Sequence, residues 1–406
     1  AEAGCDGWSG AEVLPALIRL EDDVDFGDAP YHGRGGPIPV HRAPLEKWGA
    51  VDKALRTAAL DEGYGWADDC NAPGSTGVSP FPIDSRDGER VSTNDGYLEP
   101  ARGRANLTIR GDVTVDRVCM QDQTATGLHG LGPNGWEEFH AREVIVACGT
   151  VHSPGMLIRS GIGPEAMVRA IGVQPIADLP VGRNFIDHSS IWIGIDLKPG
   201  ARWTDVRDRH TNCCVRYSSG MAGAGRNDLF MASMNVAGWD EEGLRKGVVV
   251  AATYQTFSRG ELRVVSRDAR VDPEIDINML SDERDLVRLR EGYKRIHRIL
   301  RHPAFTAIAE RIRGRVTGED LGEMPDDDAI DRLLLAEAED TQHPVGSCRM
   351  GRPDDPRSVV DPDCRVIGVE GLRVIDASVM PEHVRANTHL TTVMIAEHMA
   401  ARMRAD

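Results

Sequence analysis

Two side chains near the C-terminal end of this 406-residue chain could exchange a proton and hold an oxygen, His343 and Asn387. His343 lies in T-Q-H-P-V-G-S-C-R-M-G, on a turn constrained by Pro344 and Gly346. An imidazole there can exchange a proton near neutral pH, or it can be a histidine hydrogen-bonded beneath a loop. Asn387 precedes an apolar periodic stretch, Leu390 to Met403, that predicts a helix. Its amide either caps that helix or bonds a substrate oxygen. Between the two, Leu372 to Ile375 reads as a buried strand ending at Asp376, with small Ala377 and Ser378 next. That run is either an Asp turn or a place where backbone approaches a ligand. The helix start near Thr388 carries partial positive charge, a seat for an anionic group.

Other elements must position these residues. Glu143 to Ala147 is a nearly all-apolar run, the pattern of a strand buried on both faces. It breaks at Gly149, and Ser153 with Pro154 reads as the start of a helix that Ser160-Gly161 ends; Gly163-Pro164 starts another. A strand, a glycine and a helix N-terminus in that order form a ligand edge in doubly wound folds. Further upstream, Ala11 to Leu20 reads as a short helix with Pro15 as a candidate first turn, and Lys47 to Glu62 as a second helix. Asn106 to Arg110 and Val113 to Met120 alternate as strands. From Ser189 to Asp268 the alternation of S-I-W-I-G-I-D-L, V-V-V-A-A-T-Y-Q-T-F and E-L-R-V-V-S predicts an antiparallel sheet of a second domain. Helices follow from Ser281 and over Asp326 to Glu339, and the chain re-enters the first domain at Thr341.

Several function classes fall away on simple grounds. A formal net charge of −17 opposes unspecific binding to nucleic acid or anionic membrane. No apolar run is long enough for a membrane span. The eight cysteines form no C-x-x-C pair and no metal-like spacing with histidine, so they read as reduced, mostly buried thiols at a cytoplasmic address, with no metal site. Gly130, Gly132 and Gly135 spell G-x-G-x-x-G, but a polar stretch precedes them and a strand follows, so they read as a turn. Asp187-His188 has no G-x-S-x-G partner, which argues against a hydrolase.

Four blocks, in order, resemble the glucose–methanol–choline (GMC) family of FAD-dependent oxidoreductases. They are G-T-V-H-S-P-G-M-L-I-R-S-G-I-G from Gly149, D-L-P-V-G-R-N-F-I-D-H from Asp178, H-P-V-G-S-C-R-M-G from His343, and V-I-D-A-S-V-M-P from Val374. The resemblance implies an α/β (α+β overall) fold: an FAD domain with a mainly parallel sheet, and a substrate domain with an antiparallel sheet backed by helices. It divides the chain into 1–188, 189–340 and 341–406, the last returning to the FAD domain. It implies FAD, with Val115 near adenine, Gly149 in the second signature, Asp376 and Ala377 near the ribityl-pyrophosphate, and Asn387, Thr388 and Thr391 near the flavin ring. His343 falls at the catalytic base and Asn387 at the substrate-binding partner. The implied reaction is oxidation of an alcohol by hydride transfer to flavin N5, with dioxygen or another acceptor reoxidising the flavin. A hydroxynitrile lyase on the same scaffold, or a non-catalytic subunit, are the alternatives. His389 departs from the choline-oxidase-like pattern and is a competitor for substrate contact. The family's N-terminal strand, Gly-rich turn and helix is not found, so a second chain or segment is expected to supply it.

Overall fold

The alternating residues of Ser190–Leu197 form a strand and set the register of the largest sheet. The computed structural model describes residues 3–205, 209–221 and 223–404. Six strands pair antiparallel in the order Ala309–Gly314, Ser190–Leu197, Lys246–Thr253, Leu229–Met234, Cys213–Tyr217, Gly77–Pro80. Period-2 alternation sends Ile191, Ile193 and Ile195 to one face, where the helices Ala50–Asp61 and Glu283–Leu300 cover them. The second helix starts at Asp282, whose carboxylate accepts from Arg284 N at 3.0 Å. Leu289, Tyr293, Ile296 and Ile299 are its buried stripe. Burial of each is worth about 1.5–3 kcal/mol, so packing rather than helix propensity holds the element.

A second core gathers the ends of the chain. The strands Val144–Val146 and Leu372–Val374 pair in parallel. Against them pack the helices Gly10–Leu20, Gly149–Arg159 and Thr388–Met403, with residues of the antiparallel ladder Thr114–Gln121, Thr124–Gly132. The mixed α/β class is therefore as expected. Trp48 and the helix Ala50–Asp61 belong to the antiparallel-sheet core, so residues 1–188 contribute to both cores.

Several local expectations change. Residues 106–110 form no strand; the ladder begins at Thr114. Ile145 is exposed while Val144 and Val146 are buried, so that strand buries one face, not two. Pro15 lies inside its helix, which starts earlier on a capping box of Ser9 and Glu12. Ser153 and Pro154 lie inside the helix Gly149–Arg159 rather than at its start. Glu261–Arg263 pairs only with Glu274–Asp276, apart from the large sheet. Gly132 and Gly135 flank the tight turn of a hairpin, as expected of a turn. All eight cysteines are free and six are buried. Among the described residues, no helix is long and apolar enough to cross a membrane.

Candidate active site

The two cores meet where the chain crosses between them. Ile186 bridges to Val345 and Ser190 to Glu339, both antiparallel, which lays Asp187-His188 beside Thr341–Pro344. Asp187 pins that alignment: its carboxylate accepts from His343 N at 3.1 Å and from His188 N at 2.7 Å. Burial pushes the Asp187 carboxyl up to about 6. Gly346 completes the turn with φ +92°, and a side chain there would meet Asn184 O at 2.4 Å, so only glycine fits.

His343 and Asn387 come together. Asn387 Nδ2 lies 3.2 Å from His343 Nε2, and Asn387 Oδ1 accepts from the Tyr254 hydroxyl at 3.3 Å. Asn387 stands at the N-cap position of Thr388–Met403, yet its side chain makes no capping bond. Its amide is turned to the imidazole instead.

The other ring nitrogen of His343 fixes its tautomer. His188 Nε2 lies 3.1 Å from the carbonyl of Val384, which only accepts, so Nε2 carries the proton and donates. His188 Nδ1 is then a lone pair, 3.2 Å from His343 Nδ1. Thr341 Oγ1 lies 2.9 Å from the same His343 nitrogen and 3.3 Å from Asp187 Oδ1, to which it can donate. Two acceptors thus face His343 Nδ1, which places the proton there and leaves the Nε2 lone pair toward Asn387. Burial pushes the His343 and His188 imidazoles down, that of His188 far down, so both are held neutral at pH 7. His383 stands between two carbonyls, Nε2 2.9 Å from His343 O and Nδ1 3.0 Å from Val384 O, and lies over His188 with ring centroids 3.5 Å apart.

A second cluster sits at the strand–helix turn. Gly149 takes φ +79°, and its N–H donates to Asp376 Oδ2 at 2.9 Å. The buried Asp376 carboxylate also accepts from the hydroxyls of Ser153 and Ser378, both at 2.5 Å, and so ties the ends of the two parallel strands. Ala377 O receives Gly346 N at 3.4 Å. Thr150 staples this edge to the histidine loop: its hydroxyl donates to Pro344 O at 2.7 Å, and Ser347 Oγ donates to Thr150 O at 2.6 Å. Thr388 and Thr391 occupy the first turn of the C-terminal helix, which has no acidic residue and no side-chain cap. Val115 lies in the ladder opposite Gly130.

FAD chemistry fits this edge. The helix start has unneutralised N–H groups for anionic oxygens, and a Cβ added at Gly149 would meet nothing within 4 Å. His389, expected to compete for substrate, instead pairs with Asp84 at 2.9 Å. Sequence reasoning missed His188, Tyr254, Thr341 and His383. The only available signal was Asp187-His188, read there against a hydrolase and not as a partner of His343.

A parallel strand edge with a glycine turn thus lies beside an antiparallel sheet, with a polar pair at their junction. The GMC oxidoreductase N-terminal family model matches residues 1–190 and the C-terminal one residues 256–396. The 5-(hydroxymethyl)furfural oxidase of Methylovorus sp. (strain MP688) is 35% identical over 98% of this chain and 76% of its own length. The oxygen-dependent choline dehydrogenase of Pectobacterium carotovorum subsp. carotovorum (strain PC1) is 31% identical over 99% and 75%. The crystal structure of pyridoxine 4-oxidase from Mesorbium loti superposes with a TM-score of 0.89 at 27% identity, covering 100% of this chain and 79% of that one. The chain belongs to the GMC oxidoreductases, and it is an FAD-dependent enzyme of the alcohol oxidase and dehydrogenase type. The match over residues 1–190 lends no support to the expectation of a missing FAD-binding segment. The second chain invoked to supply it finds no support, nor does the lyase alternative.

Proposed function

We propose that this enzyme oxidises a primary alcohol carried on a ring, with His343 as base and Asn387 as the substrate-oxygen partner. One observation carries the reading: the His343 Nε2 lone pair and the Asn387 amide converge at 3.2 Å, while two acceptors occupy His343 Nδ1. In this reading Nε2 takes the hydroxyl proton, and Asn387 Nδ2 hydrogen-bonds the oxygen as it gains charge. The imidazolium that results keeps its second proton on Nδ1, donated to His188 and Thr341. Gly149, Asp376, Ala377, Asn387, Thr388 and Thr391 line or shape the edge that would hold FAD, with Val115 toward its adenine end. FAD supplies the hydride acceptor. The parallel-strand core, from 1–188 and 341–406, is the cofactor half, and 189–340 builds most of the substrate half. The ring-borne alcohol rests on the printed names of the furfural oxidase and the pyridoxine oxidase. Dioxygen is the proposed acceptor, on the same names.

The test is His343→Ala in the flavin-loaded protein. General-base loss is expected to lower kcat by about 10²–10⁴-fold while the flavin spectrum is retained. An unchanged kcat removes His343 from the role. Oxygen consumption over a panel of benzyl-type alcohols, choline and alkanols checks the substrate class, and preference for choline or alkanols overturns it.

A further inference from the structure

We propose that the chain carries a second binding site, a cavity for a small, doubly charged oxyanion. The cavity has a volume of about 930 Å³, and neither His343 nor Asn387 lines it. Six guanidinium groups do: Arg183, Arg259, Arg284, Arg349, Arg357 and Arg385. In a chain of net charge −17, such a concentration runs against the overall composition.

The pairing around it leaves charge over. Glu261 pairs with Arg183, Glu382 with Arg259 and Asp282 with Arg284. Asp355 is shared between Arg349 at 3.2 Å and Arg357 at 2.9 Å. Four carboxylates thus face six cations, and two positive charges remain in excess. Arg385 has no carboxylate partner among the described residues.

A second, independent sign is a hydroxyl. Thr256, on the cavity wall, is 4% exposed, and its Oγ1 has no hydrogen-bond partner. A buried donor left unpaired costs about 1–3 kcal/mol. An oxyanion bound against this wall would supply the missing acceptor. Arginine forks match planar carboxylates and tetrahedral phosphates alike. Arg284 lies over Phe257, 3.8 Å from the ring centroid, with Nε and Nη2 bound to Asp282, so its charge is held at the wall. The cavity also shares a wall with the histidine pair: His383 and Val384 line it and bond His343 O and His188 Nε2.

Isothermal titration calorimetry of the flavin-loaded protein tests the site, with inorganic phosphate and succinate titrated separately at constant ionic strength. Saturable one-to-one heat with either supports it, and the tighter of the two assigns a phosphate or a dicarboxylate ligand. Arg385→Ala is expected to weaken binding about tenfold, the loss of one charge-assisted contact. Thr256→Val is expected to weaken it several-fold with an unchanged or higher Tm, since it removes an unpaired hydroxyl. No saturable heat with either anion, or equal affinity in R385A and the parent, overturns the proposal.

Discussion

Two buried histidine clusters hold their rings in opposite charge states. At the junction of the cores, His188, His343 and His383 meet carbonyls, a hydroxyl and each other. Burial pulls His383 down to about 4, and all three stay neutral. In the N-terminal region, both nitrogens of His32 face carboxylates, Glu21 at 2.7 Å and Asp69 at 2.9 Å, with Asp23 at 3.4 Å. Burial lowers His32 there too, but its hydrogen bonds to Asp69 and Glu21 overcome it and raise the ring to about 10. The same residue is thus neutral among carbonyls in one place and a fixed cation among carboxylates in the other. Partner chemistry, not burial, decides which. Glu21, Asp23 and His32 offer ligand atoms within 4.8 Å of one another, as a metal site would. Yet the second His32 nitrogen is spent on Asp69, and Arg42 holds both Asp23 and Asp69. The cluster is a closed ion network that ties residues 21–42 to Asp69.

The largest expected effect breaks the charged cluster. His32→Leu leaves three buried carboxylates with Arg42 alone, at a cost of about 3–5 kcal/mol, read as a fall in Tm or denaturant midpoint. A second test uses pH. The His32 contribution is complete below the unfolded-state value near 6.5 and is lost as pH rises through about 10, on the order of 4 kcal/mol in all. The neutral cluster works the other way: with His383 held near 4, stability falls as pH drops from about 6.5 toward 4. Stability against pH is therefore expected to fall at both ends, with His32→Gln flattening the alkaline arm alone. An alkaline arm that survives in H32Q contradicts the assignment. Third, His188→Phe removes one acceptor from His343 Nδ1. We expect kcat/KM to fall about tenfold, a modest share of a general base's 10²–10⁴, with the fall largest where His343 titrates. His188→Asn, which restores an acceptor oxygen, is expected to recover part of it, and nitrogen NMR should show loss of the single His343 tautomer in H188F. The smallest effect is on stability at Asn387. With no cap bond to lose, Asn387→Ala is expected to cost only the bond it accepts from the Tyr254 hydroxyl, about 0.5–1.5 kcal/mol.

The sequence was most legible where period and chemistry coincide. Ser190–Leu197 and Glu283–Leu300 show their burial in their spacing, and four ordered motifs carry the family. His343 and Asn387 were each legible as candidates, but their contact was not, since it depends on a bridge between Ile186 and Val345 that no local pattern encodes. His188 was hidden for the same reason: its role lies wholly in a partner 155 residues away. Ile145 misled because an apolar residue in a short run cannot say which of its faces is covered. Asn387 misled toward a cap because residue preference describes the position, while the side chain had a stronger partner.

The paired bonds between Thr150 and the loop of His343 carry a further consequence. One bond runs each way, from Thr150 to Pro344 and from Ser347 back to Thr150. The turn at Gly149 and the loop that carries His343 are therefore tied together, and a shift of one drags the other. Anyone redesigning this enzyme for a new alcohol has a simple map from that fact. On the proposed assignment, changes in the antiparallel half reshape the pocket and leave the reacting groups in register, whereas changes on the stapled side alter alignment before they alter preference.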